Sequence, residues 1–275
     1  MRTRGSLVFC LAMLWQVNCV QGAVVTNPSS IAGVAFIGPN DPSFNDAVTN
    51  VLSPSRTLTT NDWLPFSAVL TNNTSQPIVA LVVKWVKVRP DGRKGNLILN
   101  QQFFGPRGRP VQSGQSAVVL PGWVFGRPLS SGSQDATDRP DHIAELQKFQ
   151  AATSVEVTLD GILFASGQFV GPNETHGFEY LLACQSGRSV YSEALARNAS
   201  GQSTADVVNW LSAIAGEGKH LNVDPQTGVP TDSNTSGMAT AARVLIEAYK
   251  VQGASLMYQF AQAYSSESIP LNIFR

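Results

Sequence analysis

The chain is poor in cysteine, in histidine, in charge and in long hydrophobic runs, and each shortage removes a class of protein. Of its three cysteines, Cys10 and Cys19 lie within the first 22 residues, so loss of that leader would leave Cys184 alone. No internal disulfide is then possible and stability must come from packing. Charged residues make up only 14% of the chain and hydrophobic residues 43%, with frequent Gly and Pro, which describes a loop-rich globular protein and not a disordered one. Beyond the N-terminus no run approaches the roughly 20 apolar residues needed to cross a membrane. Also missing are a Gly-x-Ser-x-Gly elbow, a phosphate-binding glycine loop, His-Glu-x-x-His and paired Cys-x-x-Cys. The common sequence-visible routes to hydrolysis, nucleotide use and zinc binding are therefore absent, and no cofactor is implied.

What is present begins at the N-terminus. Arg2 and Arg4 precede an apolar run from Leu7 to Val20, and Val20-Gln21-Gly22 stand before Ala23. A basic segment, an apolar segment and small residues at a cleavage site predict a signal peptide over residues 1–22, and hence a secreted or periplasmic protein. Gln16 and Asn18 interrupt the run, which is also too short for a membrane span. The residues before Cys19 do not suit lipid attachment, and Arg2 and Arg4 are not adjacent as twin-arginine export requires.

Residues 23–275 are long enough for one large or two ordinary domains. Their near-neutral balance conceals a split. From Arg56 to Arg127 nine basic residues face two acidic ones, and from Pro128 to Arg275 eight basic residues face fifteen acidic ones. Such halves can dock on each other or present a basic face to an anionic polysaccharide or an envelope protein, although charges in solvated loops account for the pattern equally well. There is no strong nucleic-acid signal.

The first half reads as β. Residues 66–71 and 78–88 are rich in β-branched and aromatic residues and flank the turn-forming Asn72-Asn73-Thr74-Ser75-Gln76-Pro77, which predicts a hairpin. A Pro90-Asp91-Gly92 turn leads to candidate strands at 97–104 and 116–125, and an earlier one spans Ile31 to Ile37. Val155, Val157 and Leu159 alternate with Glu156, Thr158 and Asp160, and Asp160-Gly161 before Ile162 then predicts a second hairpin turn. Between these blocks Pro140 opens a short helix, near 140–151, inserted after a polar Gly/Ser-rich loop. The expected fold is α+β: an antiparallel immunoglobulin-like β-sandwich of about seven strands over 23–172, with Trp85 as a candidate core aromatic, followed by helices.

The helical domain, 173–275, is expected to be a bundle of three. Asn173 is the candidate N-cap of the first helix, with Leu181, Cys184, Arg188, Tyr191 and Leu195 along one face and His176 in the first turn. Ser203-Thr204-Ala205-Asp206 resembles a capping box opening the second, which ends near Gly216 and Gly218. The third runs from about Gly237 to Tyr264, after a long loop from Glu217 to Ser236.

Candidate functional residues fall into two sets. Lys84, Lys87, Arg89, Arg93 and Lys94, with Trp85 interleaved, form a candidate basic face for a partner, against the simpler role of keeping a hairpin edge soluble. His176, Cys184 and His220 are the candidates for an enzyme, an extracellular hydrolase or a metal-dependent one. His142 with Glu145, and His176 with Glu179, share the i, i+3 spacing of one helix face, but lack the extra glutamates of bundle metal sites. Five Asn-x-Ser/Thr sequons, starting at Asn72, Asn73, Asn173, Asn198 and Asn234, matter only in a glycosylating pathway.

The signal segment, "LPFSAVLTNNTSQPIVALVVKW", "VTLDGILFASGQFVGPNE" and the helical tail together resemble uncharacterised secreted bacterial proteins with an immunoglobulin-like sandwich followed by helices. That resemblance implies a fold and no activity. The leading expectation is a secreted or periplasmic non-enzymatic binding or structural protein.

Overall fold

The computed structural model describes residues 23–52, 61–103, 109–121, 123–126, 140–217, 232–266 and 272–275. The expected signal segment and His220 lie outside them. The fold is α+β. Among the described residues nine strands form two sheets: β1 (Ala23–Thr26), β8 (Ser154–Phe164), β4 (Ile78–Val88) and β5 (Lys94–Gln102) in that order, with β9 (Phe169–Val170) on β8, and β2 (Val34–Ile37), β3 (Ala68–Asn72), β6 (Ser116–Leu120) and β7 (Trp123–Gly126) in the other. The first sheet is mixed, because β1 runs parallel to β8, and the second is antiparallel.

The chain alternates between sheets in pairs. β2 and β3 share a sheet, β4 and β5 the other, then β6 and β7, then β8 and β9, so every second connection crosses the core. This overturns the first expected hairpin. The turn at Asn72–Pro77 joins strands of different sheets, since β3 pairs with β2 and β6 while β4 pairs with β5 and β8. Asn72 holds that corner: fully buried, it donates to the carbonyls of Gln76 and Val111 and accepts from Thr74. The candidate strand at 116–125 also divides, becoming β6 and β7 paired across Leu120 and Trp123.

The second expected hairpin is a bulge. β8 runs unbroken through Asp160-Gly161, and its register against β4 slips from Leu159↔Val83 to Gly161↔Val82, leaving Asp160 as the extra residue. One inserted residue reverses the facing of all that follow. Val155, Val157 and Leu159 point into the core before it, and Ile162 and Phe164 after it. That core lies between the sheets and includes helix α1 (Phe44–Val51), the 3₁₀ segment Asn61–Phe66 and helix α2 (Pro140–Gln150). Trp85 is fully buried there, its indole N–H donating to the Phe66 carbonyl at 2.8 Å, and Phe149 of α2 packs on Phe66 and Trp63.

The C-terminal region is helical: α3 (Gly177–Ala199), α4 (Thr204–Glu217) and α5 (Ser233–Ser265). Ser203 caps α4 as expected, accepting at Oγ from the Asp206 N–H, while Asp206 answers through its carboxylate to the Ser203 hydroxyl and not to the backbone N–H of a full capping box. The third helix is not one rod. Gln252 and Gly253 leave helical geometry, Gly253 at φ +71°, and the chain folds back. Consequently both ends of α5 meet the middle of α3: Gly237 lies against Ala183 and Gly187, and Tyr264 stacks on Tyr191.

Two anchors fix α3 to the first sheet. The Asp160 carboxylate, almost fully buried, accepts from the N–H groups of Glu174 and Thr175 and from the Thr175 hydroxyl, at 2.6–2.9 Å. Gly171 passes so close to the bulge that a Cβ would stand 2.5 Å from the Asp160 carbonyl. The expected N-cap shifts as a result. His176, at φ +58°, occupies the cap position instead of the first turn, while Asn173 at φ +60° caps from three residues back, accepting from the Phe178 N–H. On the outer face of the sheet, Val82, Leu163 and Phe169 pack against Leu181 and Phe178, and the tail returns there with Ile273. Phe274 exchanges backbone hydrogen bonds with Gly167 and Phe169.

Candidate functional site

The junction between β5 and the helices forms a half-open cavity of about 500 Å³. It arises because the outer face of the first sheet is covered only in part. Beyond the bulge the sheet is apolar and α3 sits directly on it, whereas β5 presents Asn100 and Gln102, paired in register with Val82 and Ala80, to the pocket. The α3 stripe facing this space is Tyr180, Ala183, Cys184, Gly187 and Tyr191, tyrosines at each end of a small-residue floor. Ser236, Gly237, Thr240 and Ala241 from the first arm of α5, and Tyr264 from its returning arm, complete the wall.

Small residues set this geometry. A Cβ on Gly237 would lie 1.9 Å from the Ala183 carbonyl, and one on Gly187 would lie 3.1 Å from the Gly237 carbonyl. With the backbones in contact at that point, the tyrosines are held at the margins. Tyr180 and Tyr264 are 44% and 39% exposed, and the Tyr191 and Tyr264 rings stack at 5.2 Å between centroids.

The chemistry of the lining is uncharged. Among its described residues are amides, hydroxyls, phenols and one thiol, with no Lys, Arg, His, Asp or Glu. Gln102 Nε2 donates to Cys184 Sγ at 2.9 Å. Asn100 Oδ1 is shielded from solvent and accepts no hydrogen bond among the described residues. At the start of α5 the Asp232 carboxylate accepts from the Thr235 N–H and hydroxyl, which holds its pKa below the usual carboxylate range. The positive end of that helix is thereby already matched with a negative charge.

The candidate basic face is dispersed by the strand's own alternation. Lys87 shares the inward side of β4 with Trp85 and is 8% exposed, its ammonium over the Phe149 ring at 4.4 Å and paired with Glu145. Lys84, on the outer side, pairs with Glu174 at 3.0 Å. Arg89, Arg93 and Lys94 are exposed at the β4–β5 turn, Arg93 within 3.6 Å of Asp91. Burial acts to raise the Glu145 pKa, but hydrogen bonds from Lys87 and Lys148, together with their charges, outweigh it and hold the carboxyl below its ordinary value. Lys87 and Glu145 thus tie α2 to β4.

Of the enzyme candidates, His176 and Cys184 are not brought together, and His220 lies outside the described residues. His176 ends the loop before α3 with Nδ1 3.8 Å from Glu179, and Cys184 stands eight residues on, about 12 Å along the axis. Cys184 belongs to the cavity floor and His176 to the cap. His142 lies on α2. Among the described residues no three His, Cys, Asp or Glu side chains cluster as a metal site would require. Of the sequons, Asn72 and Asn173 are buried and occupied in structural hydrogen bonds, while Asn73 and Asn198 are exposed.

Sequence reasoning placed Cys184 and Tyr191 on one helix face but missed the cavity, because it ranked positions by hydrophobicity. The signal available was spacing: Tyr180, Cys184, Gly187 and Tyr191 recur at steps of four, three and four. No family model matches the chain, and no curated protein or solved structure is significantly similar to it.

Proposed function

We propose that this is an exported, non-enzymatic binding protein in which an immunoglobulin-like sandwich and a helical unit frame one ligand site. The observation that carries the reading is the junction cavity. Its volume lies within the roughly 300–1,000 Å³ typical of ligand sites, and its wall combines aromatic rings with a few converging polar groups. The immunoglobulin-like reading draws support from the crossing of the core at the β3–β4 and β7–β8 connections and from the buried Trp85.

Export draws support from the N-terminal pattern and from the pairing of Ala23 with Ser154, which puts the first strand directly after the expected cleavage point. Mass spectrometry of the protein recovered from the cell envelope or medium should give an N-terminus at Ala23.

The binding reading is tested by ligand-observed NMR with a library of small aromatic and polar fragments, on the natural chain and on Thr240→Trp. Thr240 is exposed on the cavity wall, so the larger side chain fills the space without entering the bundle core. Fragments that bind the natural chain and lose binding to Thr240→Trp support the reading. Equal binding to both, or to neither, contradicts it.

A further inference from the structure

We propose that the ligand of the junction cavity is a short, neutral saccharide chain, seated on tyrosine rings and hydrogen-bonded by amide and hydroxyl groups of β5 and α5. The proposal rests on the reading of this cavity as a binding site and adds the class of ligand.

Charge decides the first step. An anionic ligand requires cations or free helix N–H groups to replace its hydration. None of the described lining residues is cationic, and the nearest helix start has its N–H groups engaged by Asp232, whose negative charge opposes an anion. A cationic ligand finds no carboxylate among the lining residues.

Polarity decides the second. A lipid tail or other wholly apolar ligand would cover the amides of β5 and the hydroxyls of Ser236 and Thr240 without replacing the water that solvates them, at a cost of about 1–3 kcal/mol for each group left unpaired. Side-chain amides carry both donors and acceptors, and hydroxyls do likewise. This matches a sugar, whose neighbouring hydroxyls each donate and accept.

The aromatic groups supply the rest. Sugar rings have apolar C–H faces that lie flat against aromatic rings, and tyrosine offers such a surface with little side-chain entropy to lose. The rings of Tyr180 and Tyr264, the latter braced on Tyr191 and Phe260, are partly exposed at the pocket and offer such surfaces. Tyr180 and Tyr191 stand eleven residues apart on α3, about 16 Å along its axis, so the trough is longer than one sugar ring.

The test is calorimetric titration of the full exported chain with short neutral oligosaccharides of glucose, galactose, mannose and N-acetylglucosamine. Oligogalacturonate and a proline-rich peptide serve as competing classes, and a small aromatic fragment serves as a reporter of the cavity itself. The expected result is binding of at least one neutral series, insensitive to salt, weakened about tenfold or more by Tyr180→Ala and by Tyr264→Ala and abolished by Thr240→Trp. Tyr264→Phe, which keeps the ring, should retain most of the affinity, and circular dichroism establishes that each variant is folded. If the fragment binds the natural chain but not Thr240→Trp, while no neutral saccharide binds or only the anionic sugar or the peptide does, the saccharide proposal is overturned and the cavity reading survives. If Thr240→Trp behaves like the natural chain towards every probe, the cavity reading itself fails.

Discussion

The β and helical regions bury their surfaces with different mixtures of side chains. Between the sheets the core is built from Trp85, Phe66, Phe149 and a set of Leu, Ile and Val, with aromatic rings at its centre. In the helical region Ala194, Ala215, Ala241, Ala242 and Ala261 share the core with Val190, Val207, Leu211, Ile214, Leu245 and Met257, and the aromatic rings packed against it, Tyr191, Trp210 and Phe260 among them, are only partly buried. Large buried side chains supply most of the apolar stabilisation in a domain of this size. Small ones supply closeness instead, letting α3 and α5 touch by backbone while the tyrosines remain available at the junction. The first region is thus organised for stability and the second for presenting a surface.

Substitutions that violate each regime separate them. Trp85→Ala should have the largest effect, about 3–5 kcal/mol, because it opens a cavity and strands the Phe66 carbonyl. Chemical denaturation should show that loss, and a loss under 1 kcal/mol would contradict the placement of Trp85 at the core. Gly237→Val should cost about 3 kcal/mol by forcing two backbones apart. Hydrogen exchange should then show lost protection in α3 and α5 with β4 and β8 still protected; uniform loss would mean that the regions do not differ in this way.

The strap between the regions comes next. Asp160→Asn keeps the size of the side chain but turns a donor towards the N–H groups of Glu174 or Thr175, at a cost of about 1–3 kcal/mol. Exchange at the start of α3 should rise first. The smallest effect is expected within the β region at Glu145. Its folded pKa is lower than its unfolded one, so the stabilisation it brings is present above the unfolded carboxylate range and is lost as pH falls through the folded value. Between about pH 5 and pH 3 the natural chain should lose stability faster than Glu145→Gln, and parallel curves would show that the Lys87–Glu145 pair contributes nothing.

Local patterns were legible in the sequence where one residue's role depended on its neighbours alone. The alternation of β8, the burial of Trp85 and the Ser203 cap all follow from spacing and appear in the fold. Pairing was not legible. The Asn72–Pro77 turn has hairpin composition, yet its strands part to different sheets because Asn72 bonds back to Val111 across the corner. Asp160-Gly161 has turn composition as well, and only the switch of core positions from Val155, Val157 and Leu159 to Ile162 and Phe164 betrays a bulge. The basic stretch divides for a related reason: Lys87 lies two residues from Trp85 and must share its side. The cavity depends on Gly187 meeting Gly237, fifty residues later, a contact that no local pattern encodes.

The central claim, that the junction cavity holds the ligand, has a reporter built into its floor. Cys184 is the only cysteine beyond the first 22 residues, and it lines the cavity beside Gln102. The rate of its alkylation by iodoacetamide, measured on the folded chain with and without a saturating oligosaccharide or fragment found to bind, reads occupancy directly. The account predicts a rate slowed about tenfold or more by the bound molecule, as expected when a site is occupied nearly all the time. An unchanged rate under conditions where calorimetry records binding would place the ligand elsewhere on the protein and contradict the claim.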